Sequence, residues 1–70
     1  MLHKEDDRTR RVRERAYLLA DSGLHDGWRS IERNLIAEGW PNTRAVLESE
    51  FLRRSIDNRC ASARDKTAAA

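Results

Sequence analysis

The sequence predicts an all-α protein, a compact bundle of three to four short helices, and three observations lead there. Apolar residues recur at helical spacing along most of the 70 residues. No stretch alternates like a strand for more than a few positions. Gly23 and the Gly39-Trp40-Pro41 run punctuate the pattern where helices should stop.

The first helix should run from Asp6 or Asp7 to Ser22. Glu5, Asp6 and Asp7 lie at its start, where carboxylates oppose the positive end of the helix dipole. Val12, Ala16 and Leu19 form its apolar stripe. Gly23 is the natural left-handed stop, with Leu24 placed to close a Schellman cap. Asp26 is a suitable N-cap for the second helix, with Ser22 as an earlier alternative. Trp28, Ile31, Leu35 and Ile36 supply its stripe, and Gly39, Trp40 and Pro41 end it. Asn42 or Thr43 should cap a short third helix carrying Ala45, Val46 and Leu47. Ser49 should cap a fourth, with Phe51, Leu52, Ile56, Cys60 and Ala63 on its buried side. The pattern leaves open whether these last two segments form one bent helix. Residues 1–6 are expected to be a flexible N-terminus, residues 7–62 a single helical domain, and residues 63–70 a frayed tail.

Charge and composition narrow the function. Fourteen Lys and Arg face twelve Asp and Glu, for a net +2, and twelve of the cations are Arg. By region the balance is +2 over residues 1–20, −3 over 21–50 and +3 over 51–70. No apolar run approaches the roughly 20 residues of a membrane span, and no apolar segment follows the acidic N-terminus as in a secretory signal. A cytoplasmic protein is the expectation. A single cysteine excludes an internal disulfide and, with only His3 and His25 beside it, argues against a metal site. No Gly-rich phosphate loop, paired-carboxylate spacing or nucleophile–base constellation is present, so neither catalysis nor a cofactor or small-molecule substrate is expected. His25-Asp26 lacks a nucleophile at useful spacing. Cys60 reads as a small buried hydrophobe, although Arg59 and Arg64 could lower its pKa.

Several side chains exceed what a small core needs. At about 100° per residue, Tyr17 and Leu18 fall about 140° and 240° from Val12, well off the predicted stripe. Trp28 reads as a core anchor. Trp40, behind a Gly cap, either folds back on Leu35 or Ile36 or offers its ring to a partner. Arg8, Arg10, Arg11, Arg13 and Arg15 suggest phosphate or an acidic protein surface, yet they spread around the helix and are partly neutralised by Glu14. A helix-turn-helix is the alternative reading of the Gly39-Trp40-Pro41 turn. Against it, Leu35 is bulky where that motif wants a small residue. The segment after the turn sets Asn42, Thr43 and Arg44 beside phosphate-repelling Glu48 and Glu50.

The stretch Arg13–Trp40, RERAYLLADSGLHDGWRSIERNLIAEGW, is followed by Arg44-Ala45-Val46-Leu47 and Leu52-Arg53-Arg54. It resembles a group of very small Arg-rich proteins of rhizobia and related α-proteobacteria, often carried with mobile elements. Within that group it is similar to the QseM-type antiactivators of symbiosis-island transfer. The resemblance spans residues 10–60 and is carried by Ala-x-x-Leu-Ala-x-Ser-Gly and Trp-x-x-Ile-Glu-x-x-Leu-x-x-Glu-Gly, which are largely helix stripes and caps. It implies a protein that binds transcriptional activators, including a LuxR-type quorum-sensing regulator, and blocks them without binding DNA.

The expectation is therefore a regulator that docks on a transcriptional activator. Tyr17, Leu18, Trp40 and Phe51 are its candidate apolar anchors, and Arg11, Arg15, Arg44 and Arg54 its candidate rim cations. The alternatives are a DNA-binding regulator using the third helix, and a subunit that only self-associates.

Overall fold

A computed structural model describes residues 7–69. Four helices follow one another, α1 (Asp7–Asp21), α2 (Trp28–Ala37), α3 (Thr43–Val46) and α4 (Glu50–Ala69). The chain forms the all-α bundle of short helices that its periodicity predicts. The predicted flexible segment 1–6, His3 within it, and Ala70 lie outside the described residues.

The core takes Val12, Ala16 and Ala20 from α1, Ile31 and Leu35 from α2, Leu47 just after α3, and Leu52, Ile56 and Cys60 from α4. On α1 the fully buried series is Val12, Ala16, Ala20, and the predicted Leu19 is only partly buried against it. The cause is α4. The longest helix packs on the side of α1 that carries Tyr17, which turns the buried stripe towards Ala20. Ala at positions 16 and 20 lets the backbones approach closely while α1 also touches α2 and α3.

The two glycine stops differ in kind. Gly39 has φ +88°, and behind it the Gly39 N–H reaches Ile36 O (3.0 Å) and the Trp40 N–H reaches Leu35 O (3.1 Å). That pair of bonds is a complete Schellman motif, with Trp40 folded back on the core. Gly23 is also left-handed, at φ +78°, but Leu24 does not close such a cap. Its N–H goes to Ser22 Oγ (3.2 Å), the Ser22 hydroxyl donates to Leu19 O (2.6 Å), and the Leu24 side chain is 84% exposed. The serine has taken over the cap and left leucine in water.

Asp26 does not cap α2. The N-cap position is Gly27, and the Trp28 N–H is accepted by Oδ1 of Asp57, 29 residues away on α4, at 2.8 Å. A Cβ on residue 27 would stand 3.1 Å from that oxygen, so a larger residue there would push the Asp57 carboxylate by a few tenths of an ångström. Asn42 occupies the N-cap position of α3 at φ +60° without a side-chain cap bond. Thr43 is instead buried, its hydroxyl donating to Trp40 O (3.1 Å). Helix α3 is a single turn. It is separate from α4, which Ser49 caps through the Leu52 N–H (3.2 Å). Phe51 does not join the buried side of α4, and Ala63 does so only in part. Helix α4 runs on to Ala69, past residue 62 where the sequence set the end of the helical domain.

Candidate functional site

One shallow groove gathers apolar and polar side chains from three parts of the chain. Thr9, Arg13 and Tyr17 of α1 form one wall, at the four-residue spacing that aligns side chains along a helix. Val46, Ser49, Phe51 and Leu52 form the other, and the enclosed space is about 530 Å³. Leu52 supplies a buried floor, whereas Phe51 is 80% exposed at the rim. An aromatic ring left this bare costs free energy in water, since fully burying such a side chain is worth about 1.5–3 kcal/mol.

Tyr17 is half-buried and already engaged. Its hydroxyl pairs with Ser55 Oγ at 3.1 Å, and the Arg59 guanidinium lies 4.0 Å from the ring centroid. Arg59 also reaches Asp21 at 3.6 Å, so the tyrosine belongs to the α1–α4 seam and offers the groove only part of its surface. Leu18, 63% exposed, is not among the groove residues; it lies about 100° further round α1. Trp40 is outside the groove as well. Of the four expected anchors the fold brings together two, Tyr17 and Phe51.

Trp40 and Arg15 meet instead on Glu38. Arg15 grips that carboxylate with two bonds, Nε to Oε1 (3.1 Å) and Nη2 to Oε2 (2.6 Å). Trp40 Nε1 adds a third at 2.8 Å and Asn34 Nδ2 a fourth at 3.0 Å. The Arg15 hydrogen bonds, followed by that from Trp40, hold the Glu38 carboxyl down at about 2. Four donors on one acceptor lock the end of α2 to α1, which commits Arg15 and the Trp40 indole N–H within the chain. Arg11, Arg44 and Arg54 are exposed and make no ion pair among the described residues. They occupy α1, α3 and α4 respectively, and none lines the groove.

The remaining singular residues make their contacts within the chain. Trp28 is half-buried against the core, with Arg53 4.0 Å above its ring and Arg29 at 5.5 Å. His25 Nδ1 shares a 2.7 Å hydrogen bond with the Ser30 hydroxyl. Cys60 is fully buried. Burial is the main cause that pushes its thiol above the ordinary range, helped by Asp57 and Asp26, and the opposing effect of Arg64 is smaller.

The sequence reading missed Thr9, Arg13, Val46 and Ser49 as groove residues. The signal for the first two was present, because Thr9, Arg13 and Tyr17 share one helical row. The facing wall depends on the Leu47–Ser49 break that swings α4 back along α1. Among the described residues no helix is long and apolar enough to cross a membrane. Compared with protein-family models, curated proteins and solved structures, the chain matches none.

Proposed function

We propose that this chain is a small protein-binding regulator that captures a transcriptional activator and holds it away from its promoter. The observation that carries the reading is the exposed Phe51 ring beside the groove of Thr9, Arg13, Tyr17, Val46, Ser49 and Leu52. A groove with an aromatic at its edge suits an amphipathic helix better than a small polar ligand. Leu18 supports a second contact on the outer face of α1, where Arg11 lies about 20° from it round the helix, while Arg44 and Arg54 are exposed outside the groove. The choice of an activator, and of a LuxR-type regulator among activators, rests on the resemblance of residues 10–60 to the QseM-type antiactivators. Reading of DNA by the third helix finds little support: α3 is one turn, too short to lie along a major groove as a recognition helix.

The test is a gel shift of a LuxR-type activator from the same organism on its promoter, with the purified chain added. The chain should abolish the shift. Phe51→Ser should restore it while leaving helicity unchanged, and Leu18→Asp should weaken the effect. An activator that still binds DNA at saturating chain refutes the proposal. So does a chain that itself shifts duplex DNA with log K falling linearly in log salt.

A further inference from the structure

We infer that the polar cleft where α4 runs past the end of α1 is a binding site for a small polar α-amino acid. The site is separate from the Phe51 groove and goes beyond the regulator reading. Helix α1 stops at Asp21, Gly23 turns the chain aside in the left-handed conformation, and α4 continues to Ala69. The angle between the two helices encloses about 590 Å³, with Asp21 on the α1 side and Ser55, Asn58, Arg59, Ser62 and Lys66 on the α4 side. At about 100° per residue, the side chains at 55, 59, 62 and 66 share a strip of α4 about 60° wide. Ala63 is the one apolar residue of the lining, so the cleft offers hydrogen bonds and charge rather than an apolar wall.

Most of those groups are uncommitted. Asn58, Ser62 and Lys66 make no side-chain hydrogen bond or ion pair among the described residues. Arg59 is held but not saturated. Its guanidinium lies 4.0 Å from the Tyr17 ring centroid and 3.6 Å from Asp21, beyond hydrogen-bond length. Stacking fixes the plane of the fork and leaves its N–H groups to donate. Charge is arranged by sign. Asp21 ends α1, at the negative end of the helix dipole, so that side of the cleft draws an ammonium group. Arg59 and Lys66 on α4 draw a carboxylate, with the Ser62 hydroxyl between them along the helix. An anion alone would meet Asp21, and a cation alone would meet Arg59 and Lys66, whereas a zwitterion satisfies both sides. Asn58 remains to hydrogen-bond a polar side chain.

An NMR titration of the whole chain at constant ionic strength tests the site with three matched probes. L-Serine carries both charges, N-acetyl-L-serine lacks the ammonium, and L-serinamide lacks the carboxylate. L-Serine should shift the amide signals of Asp21, Asn58, Arg59, Ser62 and Lys66 and half-saturate at about 1–10 mM. The two singly charged probes should bind at least about threefold more weakly. Asp21→Asn and Lys66→Gln, both at exposed positions, should each weaken L-serine by at least about threefold and leave the rest of the spectrum in place. Phe51→Ser should leave L-serine binding unchanged. Shifts that grow linearly to about 100 mM without saturating overturn the inference. So does either singly charged probe matching L-serine, or L-serine binding undiminished in Asp21→Asn or Lys66→Gln. None of these outcomes touches the regulator reading, which the promoter gel shift decides by itself.

Discussion

Replacing Asp57 by Ala removes the oxygen that accepts the Trp28 N–H at 2.8 Å, and with it the side-chain cap on the first N–H of α2. Losing an N-cap acceptor costs about 1 kcal/mol, and losing a carboxylate from the positive end of a helix about 0.3–1 kcal/mol more at an exposed site. These two terms overlap, so about 1–1.5 kcal/mol is the expected loss at α2. Residue 57 lies within α4, where Ala is a better helix former than Asp by up to about 0.7 kcal/mol. The net destabilisation should be about 0.5–1 kcal/mol. Asp65→Ala, on an exposed position of the same helix, supplies the propensity gain by itself. The difference between the two variants should then be about 1–1.5 kcal/mol in urea titrations followed by circular dichroism, or roughly 5–10 °C in Tm. Asp57→Asn should recover most of the loss, and Asp26→Ala should be nearly neutral. If Asp57→Ala proved as stable as Asp65→Ala, or if Asp26→Ala carried the loss, the tertiary cap would be refuted.

Acid should act through Glu38. Its carboxyl sits at about 2 in the folded chain against an ordinary 4.5, so the folded state binds the proton less readily than the unfolded one. The stability it contributes is complete above about pH 4.5 and is lost as pH falls towards 2, a slope that Glu38→Gln should remove from Tm measured across that range. Leu35→Ala, at a fully buried site, should cost about 2–5 kcal/mol, a large share of what a chain of this size possesses, and leave it largely unfolded by circular dichroism. Cys60 should react with a thiol reagent only as fast as the core opens; labelling at the rate of an exposed thiol would contradict its burial.

Local rules in the sequence determined the helices and two of their boundaries. Apolar spacing marks Val12, Ala16, Ile31, Leu35, Leu52, Ile56 and Cys60 as core because a helix carries its side chains at a constant angle per residue. Gly39 before Pro41, and Ser49 before Phe51, act within one turn of chain, so their caps could be read directly. Tertiary structure alone decided contacts between residues far apart in the chain. Asp57 displaced Asp26 as the cap of α2, and Glu38 claimed Arg15 and the Trp40 indole N–H, two groups that the sequence offers as candidate partner contacts. The candidate site divides in the same way. Exposure of Leu18 followed from its angle on α1, whereas the pairing of Tyr17 with Phe51 required α4 to return along α1. Angle around a helix is a property of neighbours in sequence; which helix stands opposite is set by how the whole apolar surface is best buried at once.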